Sequence, residues 1–164
     1  MPVFRRPGPP AQARQVAAHG ERVIAWGRDG LGQPVVATTV ALYVPGRSGD
    51  HERLPYETIA AAVWADPTLE LTLVGRSRLR HLVRLDEPGE IPPVVRERVT
   101  ASIALSEHID LGGGGGARIT ARRVPGEDGL TWNVVFDPGL DASDPALRAR
   151  ADAAIAQLRS STGL

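Results

Sequence analysis

Cysteine and lysine are both absent from this chain of 164 residues, and aromatic side chains make up only 4% of it. Without cysteine there is no disulfide framework, no thiolate zinc site and no cysteine nucleophile. Without lysine there is no Schiff base and no lysine of a phosphate-binding loop. Acidic and basic side chains number 19 each, so the net charge is zero. That balance argues against a dedicated non-specific nucleic-acid binder. No stretch approaches the ~18 consecutive apolar residues of a membrane-spanning helix. The opening Met1–Pro10 has no apolar segment of the secretory kind, which leads to the expectation of a cytoplasmic protein with no transmembrane segment.

What is present suits a packed domain. Hydrophobic residues make up 42% of the chain, and a folded chain of ~150 residues buries about 68–70% of its unfolded surface. All basic residues are arginine. Arginine favours planar, bidentate recognition of carboxylate or phosphate. It is also the residue that a GC-rich genome supplies together with Ala, Gly and Pro. The even spread along the chain favours the compositional explanation.

Residues 1–18 read as a disordered or loosely docked arm, because four prolines in the first ten residues prevent regular helix. Within it, Ala11–Ala18 suits a short helical turn. From Glu21 the pattern is β. Glu21–Gly27 and Pro34–Val44 read as two strands with turn residues between them, the second rich in β-branched side chains. Pro45–Asp50 reads as a polar hairpin tip. Arg53–Trp64 reads as a third strand, interrupted by the run Ala60–Ala62. Leu69–Val74 alternates like a half-buried strand, and Leu79, Val83 and Leu85 alternate with outward Arg80 and Arg84 in a fifth. Pro92–Ala104 reads as a helix through Val95, Val99 and Ile103, although Val99, Ala101, Ile103 and Leu105 also alternate like a strand. The glycines 112–116 read as a flexible linker or mobile loop. Beyond them, Arg118–Val124 and Leu130–Asp137 read as a hairpin. Asp144 and Pro145 then start a last helix with Leu147, Ala151, Ile155 and Leu158 on one stripe.

The segment Val36–Val44 and the following Arg53–Ile59 resemble bacterial pleckstrin-homology-like and GRAM-like domains. Ala37, Thr38, Leu42 and Tyr43 fall where that family has a strand of the form ATxxxLY. Leu54, Pro55, Tyr56 and Ile59 match its LPYxxI strand start, and Trp64 its following aromatic. The resemblance covers about Glu21–Leu105, roughly half the chain, and looks most like versions found in high-GC actinobacteria. It implies an α+β protein whose antiparallel PH-like β-barrel is closed by a packing helix. It also implies binding of lipids, peptides or other domains, with no catalytic residues to carry over. Five strands precede the helix where such a domain has seven. The missing two come either from a split of Arg53–Trp64 or from the later pair.

The constellations that carry chemistry each have an ordinary counterpart. His19, His51, His81 and His108 lie 32, 30 and 27 residues apart, without the spacing of a helical metal site. Gly46–Gly49 lacks the spacing of a nucleophile elbow, and Ser48, Asp50 and His51 are neighbours in sequence only. The five glycines feed a strand rather than a phosphate-binding helix. Arg76, Arg78, Arg80 and Arg84 form the sharpest set. Their period of two aligns four guanidinium groups along ~27 Å of strand as a candidate anion-binding ridge, with a solvated, neutralised face as the plainer reading. Arg118, Arg122 and Arg123 form a second, weaker cluster. Trp26, Trp64, Trp132, Tyr43, Tyr56 and Phe136 lie inside apolar runs and suit core packing.

The expected organisation is an arm over 1–18, a PH-like barrel over 19–105, and over 106–164 a glycine-rich loop with a hairpin-helix extension docked on the barrel. The expected function is a non-enzymatic interaction module that binds a protein partner or itself, without catalytic residues, cofactor or metal. An anionic-ligand or membrane-surface binder acting through the arginine ridge is the alternative, and an enzyme with an arginine-lined pocket the third reading.

Overall fold

The structure, a computed structural model, describes residues 7–74 and 80–164. It is mixed α+β, with a seven-stranded antiparallel sheet, a three-stranded sheet and three α-helices. The chain divides into two compact units, Met1–Thr100 and Ala101–Leu164.

The first unit is built on β1 (Val23–Asp29), β2 (Pro34–Thr38), β3 (Ala41–Pro45), β4 (His51–Pro55), β5 (Ile59–Ala65), β6 (Thr68–Leu73) and β7 (Arg80–Glu87). Their order is β4-β3-β2-β1-β7-β6-β5, so two meanders join where β1 pairs with β7. The sheet is open, with β4 and β5 at its edges and no ladder between them among the described residues. One hydrophobic cluster nevertheless takes side chains from all seven strands, including Ala25, Val35, Leu42, Leu54, Ile59, Leu69 and Leu85. Helix α2 (Ile91–Ser102) adds Ile91, Val95 and Val99 to the same cluster at intervals of four residues, the stripe an amphipathic helix buries. Each fully buried side chain of this kind stabilises the fold by roughly 1.5–3 kcal/mol. On the opposite face of β1–β3 a short helix, α1 (Ala11–Val16), packs Ala13 against Val36, Ala41 and Tyr43.

Two expectations about strands are corrected. Pro34–Val44 is not one strand but β2 and β3, broken at Thr39 and Val40. The side chain of Thr38 causes the break: its Oγ1 accepts from the backbone N–H of Ala41 at 3.1 Å and of Val40 at 3.3 Å, closing a turn that composition alone hides. Arg53–Trp64 is likewise divided, by a single 3₁₀ turn at Tyr56–Thr58 between β4 and β5. Those two splits supply the two strands beyond the five counted in the sequence. The halves of the motif that carried the family resemblance also meet, because the Tyr56 hydroxyl donates to the Thr38 carbonyl at 2.8 Å. Burial pushes the Tyr56 phenol well above its ordinary pKa.

The second unit holds β8 (Ile103–Asp110), β9 (Gly116–Arg123), β10 (Leu130–Phe136) and helix α3 (Pro145–Thr162). Here β9 is central, so the expected hairpin is a three-stranded sheet. The two periodicities that competed at 99–105 occur in succession: α2 ends at Ser102 and β8 begins at Ile103, where the expected helix ran on to Ala104. The glycine run is not a linker but the tight turn from β8 to β9, with Gly112, Gly113 and Gly114 all at positive φ. At Gly116 a Cβ would lie 2.4 Å from the Ile109 carbonyl oxygen, so the strand itself requires glycine there. Helix α3 starts as read: Asp144 accepts from Ala146 N–H at 2.8 Å ahead of Pro145, and Gly163 ends it in the left-handed region. Along its stripe, Ala151 is buried and Leu147, Ile155 and Leu158 are half-buried. Arg150 ties the helix to the turn between β8 and β9 by donating to the Leu111 carbonyl at 2.9 Å.

Candidate functional site

The candidate arginines belong to the approach to β7 and to β7 itself. Arg76 and Arg78 lie outside the described residues. Arg80 and Arg84 project from the same face of β7, as their spacing predicts, and both are exposed. Neither is a bare cation. Arg80 Nη1 lies 3.0 Å from Glu70 Oε1 on the neighbouring strand, and Arg84 Nε donates to Asp86 Oδ1 at 2.9 Å. Exposed pairs of this kind add little to stability, but they lower the local positive potential. The described half of the ridge is therefore close to neutral.

Between these two arginines stands Leu82, 66% exposed, on a strand whose other described apolar side chains turn inward. It borders a cleft of about 470 Å³ that also takes in Asp29, Gly30 and Leu31 from the end of β1 and its turn, Val44 and Pro45 from β3, and His81, Arg84 and Asp86 from β7. Leu31 is the most exposed large apolar residue here, at 83%. One side chain closes the turn that presents it: Asp29 Oδ1 accepts from Leu31 N–H at 2.9 Å and Gln33 N–H at 2.7 Å. His81 of the cleft lining has its Nε2 3.9 Å from Glu52 Oε2 on β4. The arrangement brings two displayed leucines and charges of both signs to one concave surface. The sequence carries a signal for both leucines. Leu31 lies between two turn glycines, and Leu82 breaks the apolar phase of β7.

A second polar constellation lies on the outer face of β1–β4. Glu21 Oε2 accepts from the hydroxyls of Thr38 at 2.7 Å and Tyr43 at 3.1 Å, while Oε1 accepts from Arg53 Nε at 2.9 Å and Nη2 at 2.7 Å. Burial would raise the Glu21 carboxyl, but these hydrogen bonds and the Arg53 charge outweigh it and hold it below the ordinary carboxylate range. Because Tyr43 also accepts from Ala18 N–H at 3.1 Å, the network ties the segment after α1 to the sheet. Its lone pairs are spent within the fold.

The remaining candidates are separated. His51 Nε2 lies 2.8 Å from the Pro34 carbonyl, and His108 Nε2 lies 2.9 Å from Asp137 Oδ1. Gly46–Asp50 is a turn closed by Gly46 N–H donating to the Asp50 carbonyl at 2.7 Å. Among the described residues no group of three or more His, Asp or Glu side chains is placed to hold a metal ion. No described helix is long and apolar enough to cross a membrane. Arg118 and Arg122 share one face of β9, where Arg122 is buried and donates to Ser102 Oγ at 2.7 Å; Arg123 points to the other face. Trp26 packs against the α1 side of the sheet, Trp64 against the main cluster, and Trp132 beneath Arg159. Compared with protein-family models, curated proteins and solved structures, the chain has no match in any of the three.

Proposed function

We propose that this chain is a non-enzymatic, cytoplasmic interaction module of PH-like architecture, and that it docks a protein partner at the cleft between the β1–β2 turn, β3 and β7. One observation carries the reading: Leu31 and Leu82, both largely exposed, flank the same cleft. Exposed apolar side chains that converge on one concavity with a charged rim suit a docking surface. Arg80, Arg84, Asp29 and Asp86 around them suit a partner segment with apolar anchors and charges of both signs. The PH-like architecture is supported by seven antiparallel strands in two meanders, followed by a helix that joins their common core. In that reading the corner between β4 and β5 is closed by side chains such as Leu54, Tyr56 and Ile59 rather than by a ladder. Anionic lipid bound through Arg76, Arg78, Arg80 and Arg84 is the weaker reading, because Glu70 and Asp86 already engage the two described arginines.

The test places a photo-crosslinking residue at Leu31, at Leu82 and, as a control, at the exposed Glu97 of α2. A discrete protein adduct at the first two positions only supports the proposal, and an adduct of twice the chain mass identifies self-association. Flotation with anionic vesicles that Arg80→Glu/Arg84→Glu abolishes, without any protein adduct, replaces it with the lipid reading.

A further inference from the structure

A different surface, wholly within the second unit, has the makings of a small-molecule site. Where β9 turns into β10, Arg123 and Leu130 are register partners, and Trp132 lies two residues further along the same side of the sheet. The Arg159 guanidinium of α3 stands over the Trp132 ring, 5.3 Å from its centroid. Together with Val124 these side chains line a concavity of about 780 Å³, within the ~300–1,000 Å³ range of small-ligand sites. Among the described residues, neither Arg123 nor Arg159 has a carboxylate oxygen within 4.0 Å. Glu127 and Asp128 also line the concavity, from the exposed turn. Trp132, Leu130 and Val124 supply an apolar wall, and the two guanidinium groups supply donors in a planar fork.

We infer that this pocket binds an amphipathic aromatic carboxylate, its ring against Leu130 and the Trp132 indole and its carboxylate between Arg123 and Arg159. A wholly apolar ligand would leave the two guanidinium groups with no carboxylate in salt-bridge range, and a small inorganic anion would leave the apolar wall wet. Glu127 and Asp128 disfavour multiply charged anions, which makes a single carboxylate the best match.

The probe is naphthoate, with naphthylmethanol as its uncharged counterpart, titrated into the full chain while the three tryptophan indole N–H resonances are followed. The Trp132 resonance is assigned by its loss in Trp132→Phe. Saturable movement of the Trp132 signal by naphthoate, at least about tenfold weaker for the alcohol and for Arg123→Gln/Arg159→Gln, is the expected result. Unchanged backbone resonances of β8–β10 show that the variant is folded, and the single variants Arg123→Gln and Arg159→Gln serve if it is not. An unmoved Trp132 signal overturns the site, and equal binding of acid and alcohol overturns its specificity for an anion. A peptide ending in phenylalanine, compared with its C-terminal amide, then separates a chain terminus from a free aromatic acid as the natural source of the carboxylate.

Discussion

Thr38 and Glu21 show how much of the first unit depends on single polar atoms. The Thr38 hydroxyl accepts two backbone N–H groups and donates to Glu21, and the carbonyl of the same residue holds Tyr56. Valine has the same shape but leaves those buried donors without a partner, at a cost of about 1–3 kcal/mol. Thr38→Val should therefore lower the urea midpoint at unchanged slope, while Thr38→Ser keeps most of the stability. Glu21 gives a pH signature. Its carboxyl titrates below the ordinary carboxylate range in the folded chain, so its stabilisation is complete above the unfolded glutamate pKa of about 4.3. That stabilisation is lost as pH falls through the folded pKa. Glu21→Gln should weaken the protein at pH 7 and flatten the acid limb of its stability curve below about pH 4.3, measured by denaturant titration at each pH. None of this is legible as composition. The sequence shows a β-branched run and a threonine, and only the side-chain hydrogen bond makes that threonine a turn.

At the scale of elements, the sequence is most readable where periodicity is long and unopposed. Helix α3 has its cap, proline and terminal glycine in the expected places, and β6 alternates as a half-buried strand should. The sequence is least readable where one signal masks another. The helical stripe through Val95 and Val99 continues in spacing to Ile103, so the start of β8 is indistinguishable from the helix before it. Five consecutive glycines read as slack chain, although three of them meet the left-handed geometry of a hairpin turn. Leu82 is legible as a phase break in β7 and Leu31 as an apolar residue in a turn, but their convergence depends on the pairing of β1 with β7, which is a property of topology. The crossing of β1 with the turn before α2 offers a direct check. Gly89 has φ of +51°, and a Cβ there would lie 2.4 Å from the Trp26 carbonyl oxygen. Gly89→Ala should cost more than ~1 kcal/mol, a fall in Tm of at least about 2–4 °C. Gly129→Ala, in open space and with no positive φ, should leave Tm unchanged or slightly raised.

For the molecule as a whole, balanced charge has a cost of its own. With 19 acidic and 19 basic side chains and an isoelectric point near 6.9, little net repulsion separates copies at neutral pH. Solubility should pass through a minimum close to pH 7, and light scattering should fall again on either side of it. The sealed Tyr56 makes the first unit self-reporting at the other end of the pH scale. Its hydroxyl is a donor in the core, and removing its proton would bury a charge and break the bond to Thr38. The folded state holds that proton more tightly than the unfolded chain, so this contribution to stability is present below about pH 10 and drains away as pH rises beyond it. Only one other tyrosine is present. The late rise in ultraviolet phenolate absorbance should therefore coincide with loss of the folded circular-dichroism signal, and an alkaline titration becomes a label-free optical record of when the seven-stranded unit opens.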